Sequence, residues 1–412
     1  MKKITGATVL YISYDGLLEP LGESQVLQYL KGLVKTHRIY LITFEKPTDW
    51  ACVDRRRTFL RDVDKYGIKW IPLKYHRKPA GLSTAYDIVH GLILAIYLTI
   101  RYQIKIIHAR SYVPSVIGLC MKRLFGVSFV FDMRGFWPDE RLNAGMWHSD
   151  SAMYKVSKWF ERRFLLSADI IISLTESAVK EMAKKTYLNG RMRPYKVIPT
   201  CVNTSLFKST ANFSQSVMSD SGTRDSFVLG CVGSVGGWFQ FDHVLDLFMS
   251  ILKKQPKSKL LILNRDQKKY ILERIKKKGI PDNLITIKSV DYADVHNEMA
   301  AISAGVFFYK PSYSEHARSP TKMAEFLACG IPCITNHGIG DTEQIIKDNG
   351  VGYVINEFSD EEFDAASSVI LDMVKNKSLC IDCVKTAEKY FSLSKGIQSY
   401  DDVYNNLICQ KT

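Results

Sequence analysis

The sequence predicts two doubly wound α/β domains of Rossmann-like grammar, and three observations lead there. Its 412 residues exceed what one typical core holds, so two domains of roughly 200 residues each are expected. Short β-branched runs alternate with amphipathic stretches along most of the chain, the pattern of parallel strands joined by helical crossovers. The alternation is interrupted by a polar stretch over 208–226, rich in Ser, Thr, Asn and Asp, and then restarts. The expected domains are therefore 1–207 and 208–393, with a last helix over 394–412 returning to the first.

In the first half, strands are expected at 7–13, 38–44, 68–73, 104–109, 129–133 and 170–174, with a short one at 197–199. Ser24 suits the cap of a helix whose apolar positions Val26, Leu27, Leu30, Leu33 and Val34 fall at helical spacing. In the second half, strands are expected at 227–232, 260–263, 284–287, 305–309, 332–335 and 352–355. The tail reads as a helix with Ile397, Tyr400, Val403, Tyr404 and Leu407 on one face. Its longest apolar run, 91–100, is about half of what a bilayer span needs and is expected as a buried helix. Two such sheets place ligands at the carboxyl ends of their strands, so an active site in a cleft between facing domains is the architectural expectation.

Hydrophobic residues at 46% and charged residues at 24% are ordinary for a globular chain and exclude bulk disorder. The formal net charge of +14 is uneven: residues 1–200 carry about +15, from 32 Lys and Arg against 17 Asp and Glu. A basic half suits an anionic partner such as nucleic acid, a membrane surface or a phosphorylated acceptor, the plainer alternative being a solvated basic surface. No nucleic-acid recognition motif accompanies the charge, so nucleic acid is not the expected partner. Nine scattered cysteines, several in apolar runs like Cys120, Cys231 and Cys333, argue for a reducing compartment rather than a disulfide framework. Cys380 and Cys383 form a lone C-x-x-C that reads as helix packing. The Met1-Lys2-Lys3 start runs into a strand with no small-residue cleavage site, so a signal peptide is not expected and the cytosol is.

Four segments carry chemistry. The strongest runs from Lys310 to Pro332. A strand ends near Lys310, and a helix is expected to open with Ser319 as its N-cap and Pro320 in its first position. Such an end favours a phosphate, with Lys322 adding charge in the first turn. Glu325 lies one turn deeper, where a carboxylate can accept from two vicinal hydroxyls as on a ribose. The second segment, 14–27, uses Gly16 and Gly22 for a flexible, close-approaching loop. It lacks G-x-G-x-x-G spacing, and no suitable acidic residue ends the second strand, so a dinucleotide fingerprint is poorly matched. The third pairs 106–112 with 131–140, placing His108, Arg110, Asp132, Arg134, Asp139 and Glu140 at strand ends. His108 suits a core histidine as well, and Asp132–Arg134 a structural ion pair. The fourth is the glycine-rich turn 229–238, whose Gly233, Ser234 and Gly236 let backbone N–H groups approach a ligand.

In this order the segments resemble the retaining glycosyltransferases of family 4, of the GT-B fold, found in bacterial surface-polysaccharide synthesis. The likeness covers nearly the whole chain. It is carried by Asp15-Gly-Leu with Pro20-Leu-Gly-Glu-Ser-Gln, by Ile107-His-Ala-Arg-Ser, by Phe131-Asp-Met-Arg-Gly-Phe-Trp-Pro-Asp-Glu, by Val197-Ile-Pro-Thr-Cys-Val-Asn with Phe207, and by Ser319-Pro-Thr-Lys-Met-Ala-Glu-Phe-Leu-Ala-Cys-Gly-Ile-Pro. The departures are specific. Of two glutamates often found seven residues apart, the second is Glu325, but the first falls on Ala317, with Glu315 nearby. The Arg and Lys common after the first strand of the second domain are absent from 233–238. One common histidine falls on Arg110, and another is replaced within 132–135.

The resemblance implies a nucleoside-diphosphate sugar as donor substrate and no separate cofactor or metal. Gly22, Gly233, Ser234, Lys310, Ser319, Thr321, Lys322 and Glu325 would hold the donor, with Arg318 a further cation. On the acceptor side it implies Asp132, Arg134, His108 and Asp139. The acceptor would be a polyprenyl-diphosphate-linked or other glycan, reached by peripheral contact with an anionic membrane on its cytoplasmic face. A sugar-nucleotide 2-epimerase and a non-catalytic sugar-nucleotide sensor are the alternatives.

Overall fold

The computed structural model describes residues 6–79, 81–207, 226–290 and 294–410. The chain divides into two compact units, one of residues 1–199 with 393–412 and the other of residues 200–392. The expected linker over 208–226 lies outside the described residues except for Ser226. The division falls at Pro199–Thr200, ahead of the expected boundary. Val202 donates its N–H to the Phe391 carbonyl at 2.8 Å and bridges to Ser392, so the two segments that open and close the second unit run side by side within it.

The first unit is built on seven parallel strands: β1 (Thr8–Ser13), β2 (Arg38–Glu45), β3 (Lys69–Lys74), β4 (Ile106–Arg110), β5 (Ser128–Asp132), β6 (Ile170–Ser173) and β7 (Tyr195–Val197). They lie in the order β3-β2-β1-β4-β5-β6-β7. The second has six parallel strands: β8 (Val228–Val232), β9 (Lys259–Leu263), β10 (Ile285–Lys288), β11 (Ala304–Val306), β12 (Cys333–Asn336) and β13 (Gly352–Ile355), in the order β10-β9-β8-β11-β12-β13. The central strands are apolar on both faces because helices cover both, and β4 is buried along its whole length. In each sheet the order reverses beside the first strand, between β1 and β4 and between β8 and β11. Doubly wound folds leave their ligand crevice at that reversal, outside the carboxyl ends of the strands.

The tail helix, Leu393–Cys409, belongs to the first unit. Its apolar face buries Tyr400, Val403, Tyr404 and Leu407. Gly32 makes room for it, since a Cβ there would stand 2.5 Å from Ile397. Asp401 accepts from the Thr36 hydroxyl at 2.6 Å and pairs with His37 Nε2 at 2.9 Å, while His37 Nδ1 accepts from the Ala7 amide.

The helix expected to be buried over 91–100 is longer and only half inside. It spans Leu82–Tyr102, and its inner side carries Ser83, Asp87, Gly91, Ala95, Leu98 and Thr99. A Cβ at Gly91 would come 2.8 Å from Ile117 and 3.1 Å from Phe44, so the helix axis lies close on its neighbours. Asp87 accepts from the Tyr14 hydroxyl at 2.9 Å and the His76 amide at 3.1 Å, which satisfies its buried carboxylate. By length and composition this helix could cross a membrane, but its inner side is committed to the unit. In the second unit Cys383 packs in the core beside Leu379.

Candidate functional site

At the reversal of the second sheet, the chain leaves β8 through Gly233 at φ +84°, a conformation only glycine adopts without strain. The turn is clamped from the end of β9. Asn264 donates to the Gly233 carbonyl at 3.0 Å, and Gln267 accepts from the Val235 amide at 2.9 Å. A Cβ on Gly236 would stand 2.7 Å from Gln267 Nε2, so a side chain there would displace the Gln267 amide that clamps the turn. The turn is thus a shaped, rigid element and not merely a tight connection.

The helix Thr321–Ala328 faces this turn. Met323, Phe326 and Leu327 are buried, and Phe326 seats against Gly305, where a Cβ would stand 2.5 Å from its ring. With those positions inward, Lys322 turns toward the glycine turn, and Glu325 lies one turn deeper along the same helix. Lys322 Nζ donates to the Ser234 carbonyl at 2.9 Å and stands 3.7 Å from the centre of the Phe239 ring. Its Cε lies 3.1 Å from where a Gly233 Cβ would be. Burial draws the ammonium down to about 8, against the opposing pull of Cys231 and Glu325, while Arg318 lowers it further. This charge rests on a neutral carbonyl and a ring face, so an arriving phosphate would supply the counter-charge it lacks. Glu325 is buried one turn along.

Ser319 is not the cap. Pro320 occupies the capping position, no side chain caps the helix, and Thr321 is its first residue. The Ser319 hydroxyl instead accepts the Thr200 amide at 3.1 Å, and its carbonyl accepts the Thr200 hydroxyl at 2.7 Å. Thr200 is the first residue of this unit, and no local pattern could reveal a partner 119 positions away. The uncapped first turn still presents backbone N–H groups to an anion.

Glu315 does not replace the glutamate missing at Ala317 as an open carboxylate. It is buried on the short turn Tyr313–Ala317 and takes both a bond from Arg318 Nε and one from Arg318 Nη2 at 3.2 Å. Arg318 in turn lies over Tyr309 at 5.0 Å and Trp238 at 5.8 Å. Its charge is therefore partly committed. Lys310 is exposed, its backbone N–H bonded to the Trp238 carbonyl at 2.9 Å.

In the first unit, β1 ends beside β4, and Arg110 pairs with Asp15 across that reversal. The loop after β1 is anchored by hydrogen bonds. Glu45, the last residue of β2, accepts the Leu17 amide at 2.7 Å and the Leu18 amide at 3.2 Å, and burial raises its carboxyl. The acidic residue that ends the second strand, Glu45, is committed to holding this loop and is not a ribose-binding carboxylate. Gly22 sits in the first helical turn, where a Cβ would stand 2.0 Å from the Gly16 carbonyl oxygen. Close packing against the Gly16–Leu17 backbone accounts for a glycine at this position. Beside this loop, at the ends of β2 and β3, lies a cavity of about 490 Å³ lined by Glu45, Trp50, Arg56, Pro72, Leu73 and Lys74.

Of the acceptor-side candidates, His108, Asp132 and Arg134 come together and Asp139 does not. His108 is fully buried, stacked on Tyr11 at 4.2 Å, with Nδ1 on the Tyr404 hydroxyl at 2.7 Å and Nε2 on Asp132 Oδ2 at 3.2 Å. Burial lowers it below its ordinary value despite Asp132. With both nitrogens engaged and no solvent, it is a core histidine that anchors the tail helix, not a catalytic base. Asp132 also accepts from the Tyr400 hydroxyl at 3.2 Å. Burial alone would raise its carboxyl, but Arg134 and then His108 outweigh that and hold it below the usual range. Its Oδ1 has no hydrogen-bond partner among the described residues, with Arg134 Nη1 at 3.9 Å. Arg134 itself sits at φ +57°, a strained placement at the end of β5. Asp139 belongs to a separate buried network, accepting from the Tyr154 hydroxyl and Lys158 Nζ, both at 2.9 Å. Lys158 continues to Glu161 at 2.7 Å, which accepts the Tyr112 hydroxyl.

Comparison with known proteins adds to this geometry. Residues 22–206 match the sequence model described as Glycosyltransferase Family 4, and residues 218–390 the one described as Glycosyl transferases group 1. The chain belongs to the family 4 glycosyltransferases. A search of curated proteins returned no match. Among solved structures, the chain is similar to a glycosyltransferase from Rickettsia africae, with a TM-score of 0.72 and 15% identity over 98% of this chain and 99% of that one. It is also similar to Anabaena HepE in complex with UDP and glucose, with a TM-score of 0.67 and 13% identity over 96% and 99%. WaaG, a glycosyltransferase involved in lipopolysaccharide biosynthesis, aligns with a TM-score of 0.65 and 14% identity over 96% and 99%. At these identities the likeness establishes the GT-B glycosyltransferase fold, and the family assignment makes this chain a glycosyltransferase.

Proposed function

We propose that this glycosyltransferase moves a sugar from a nucleoside-diphosphate sugar to a lipid-linked glycan acceptor in surface-polysaccharide synthesis, with retention at the anomeric carbon and without a metal. The observation that carries the donor reading is Lys322: a partly desolvated ammonium held against a glycine turn at the ligand end of a doubly wound sheet. The diphosphate would displace the Ser234 carbonyl and take the charge of Lys322, with the amides of the first turn and the Thr321 hydroxyl beside it. Charge on the diphosphate grows as the glycosidic bond breaks, so these groups act most strongly in the transition state. Glu325 would accept the ribose hydroxyls. Gly233 and Ser234 shape the approach, and exposed Lys310 is a peripheral cation. The UDP-bound Anabaena neighbour supports this donor class, and WaaG supports the pathway class.

On the acceptor side, Arg134 is the group proposed to meet the acceptor, with Asp132 as its positioning residue. The cavity bearing Trp50, Arg56 and Lys74 suits a sugar face and an anionic group. Because the acceptor is lipid-linked in this reading, the protein works at the cytoplasmic side of a membrane.

Incubation with a panel of sugar nucleotides tests the proposal. Release of nucleoside diphosphate with a glycosylated acceptor is expected, and Lys322→Ala should lower turnover by about 100-fold or more. Near wild-type turnover in that variant removes the donor assignment. An isomerised donor would mean an epimerase, and binding without turnover a sensor.

A further inference from the structure

The chain crossing from β3 to β4, from β4 to β5 and from β5 to β6 builds three helices: Leu82–Tyr102, Tyr112–Phe125 and Ala152–Ser167. All three crossovers move the same way along the sheet, so right-handed connections put them on one face. The first packs on the second, and the second on the third.

The outer side of the first helix is inverted relative to an ordinary surface helix. Leu82, Tyr86, Val89, Ile93, Tyr97 and Ile100 are exposed, with Leu82 at 72%, Ile93 at 62% and Ile100 at 63%. Their spacing of three and four residues places them in one stripe, about 27 Å long. Leu124 and Phe125 extend the apolar surface on the second helix, and Met153, Val156 and Trp159 on the third. Gly81 lies 3.5 Å from Met153 Sδ as measured from its missing Cβ, so the first and third helices meet at that end. A surface this apolar is rare on a soluble protein without a partner.

Charge says which partner. The three helices carry seven Lys and Arg, and their two carboxylates, Asp87 and Glu161, are both buried and hydrogen-bonded. Lys122, Lys155 and Lys158 are paired with carboxylates. Arg101, Arg123, Arg162 and Arg163 are exposed. The outer face of these helices therefore offers apolar side chains and guanidinium groups, with no exposed carboxylate. We propose that this three-helix face docks on an anionic lipid bilayer, the stripe lying in the plane of the interface. The helix lies on the bilayer and does not cross it, because Asp87 and Gly91 hold its other side to the sheet layer. A second copy of the chain fits the face poorly, since it would bring arginines against arginines. A groove of about 580 Å³, lined by Leu60, Leu94, Tyr97 and Tyr102 and also by Asp64 paired with Lys69, opens beside the stripe. The argument stands on this surface alone; only its use, meeting a lipid-linked acceptor, rests on the proposed transferase reading.

The test is co-sedimentation of the full chain with phosphatidylcholine vesicles, with and without phosphatidylglycerol, at low and high salt. Binding should require the anionic lipid and weaken with salt. Ile93→Asp with Tyr97→Asp, and separately Arg123→Glu with Arg162→Glu, should each lower partitioning about tenfold or more. Binding of uridine diphosphate, titrated on the same preparations, should be unchanged, so failure of docking and failure of the donor assignment are read apart. On the wild-type chain, brominated lipid should quench fluorescence more than in Trp159→Phe, a readout that stands whether or not the charged variants fold. The proposal is overturned if anionic lipid gives no preference, if the variants bind as the wild type does, if Trp159 contributes no quenching, or if ultracentrifugation shows a dimer that the aspartate variant dissociates.

Discussion

Replacing Lys322 by Met should make the protein more stable at neutral pH while disabling it. The ammonium is drawn from 10.5 to about 8 in the fold, chiefly by desolvation. A shift of that size corresponds to an upper bound of about 3 kcal/mol of unfavourable burial, at about 1.4 kcal/mol per unit. Lys322 keeps some contact with solvent, and Met loses the bond to the Ser234 carbonyl, so a net gain of about 1–2 kcal/mol is expected. The sign follows from proton binding. A lysine depressed in the folded state gives up its proton before the unfolded chain does, so wild-type stability rises between about 8 and 10.5 relative to the variant. The advantage of Lys322→Met is therefore full below pH 8 and gone above 10.5. Denaturant unfolding of both proteins at pH 7, 9 and 10.5 measures it, with nucleoside-diphosphate affinity read alongside. A variant no more stable at pH 7, or an advantage independent of pH, refutes the claim that this charge is held at a cost for a ligand.

Two further expectations follow from the same geometry. Gly233→Ala forces a side chain into a φ of +84° and against Lys322 Cε, so stability should fall by about 1–2 kcal/mol and nucleotide binding about tenfold, by unfolding and titration respectively. His108, buried and lowered, makes stability fall as pH drops below 6.5, because the unfolded chain takes the proton first. His108→Gln should flatten that acid limb in pH-dependent unfolding while lowering stability at pH 7 by about 1–3 kcal/mol.

Local pattern made the fold legible. Most of the strands among the described residues overlap the expected apolar runs, because a strand buried between helices must be apolar along its length, but β7 (Tyr195–Val197) ends where the expected strand at 197–199 begins and β11 (Ala304–Val306) stops short of the expected 305–309. The edges were less clear: β2 carries one more residue than its apolar run, and that residue is Glu45. An acidic side chain reads as a strand end, yet here it is the group that fastens the loop after β1. The helix over 82–102 reads as half its length from the sequence because His90 and Arg101 bound the apolar run; Asp87, one turn earlier, faces inward to Tyr14 and His76, partners supplied by the loops after β1 and β3.

The sequence by itself determined the two-sheet architecture, the glycine turn at Gly233 and the placement of Lys322 and Glu325 one turn apart on one helix. These depend on neighbours within a few positions, where periodicity and backbone sterics act. Only the tertiary structure decided which polar groups are open to a ligand. Ser319 is taken by Thr200, His108 by Tyr404, Asp139 by Lys158, and Glu315 by Arg318. The partners of Ser319 and His108 lie more than a hundred positions away, so burial and hydrogen bonding set by packing, not residue type, separate a binding group from a structural one.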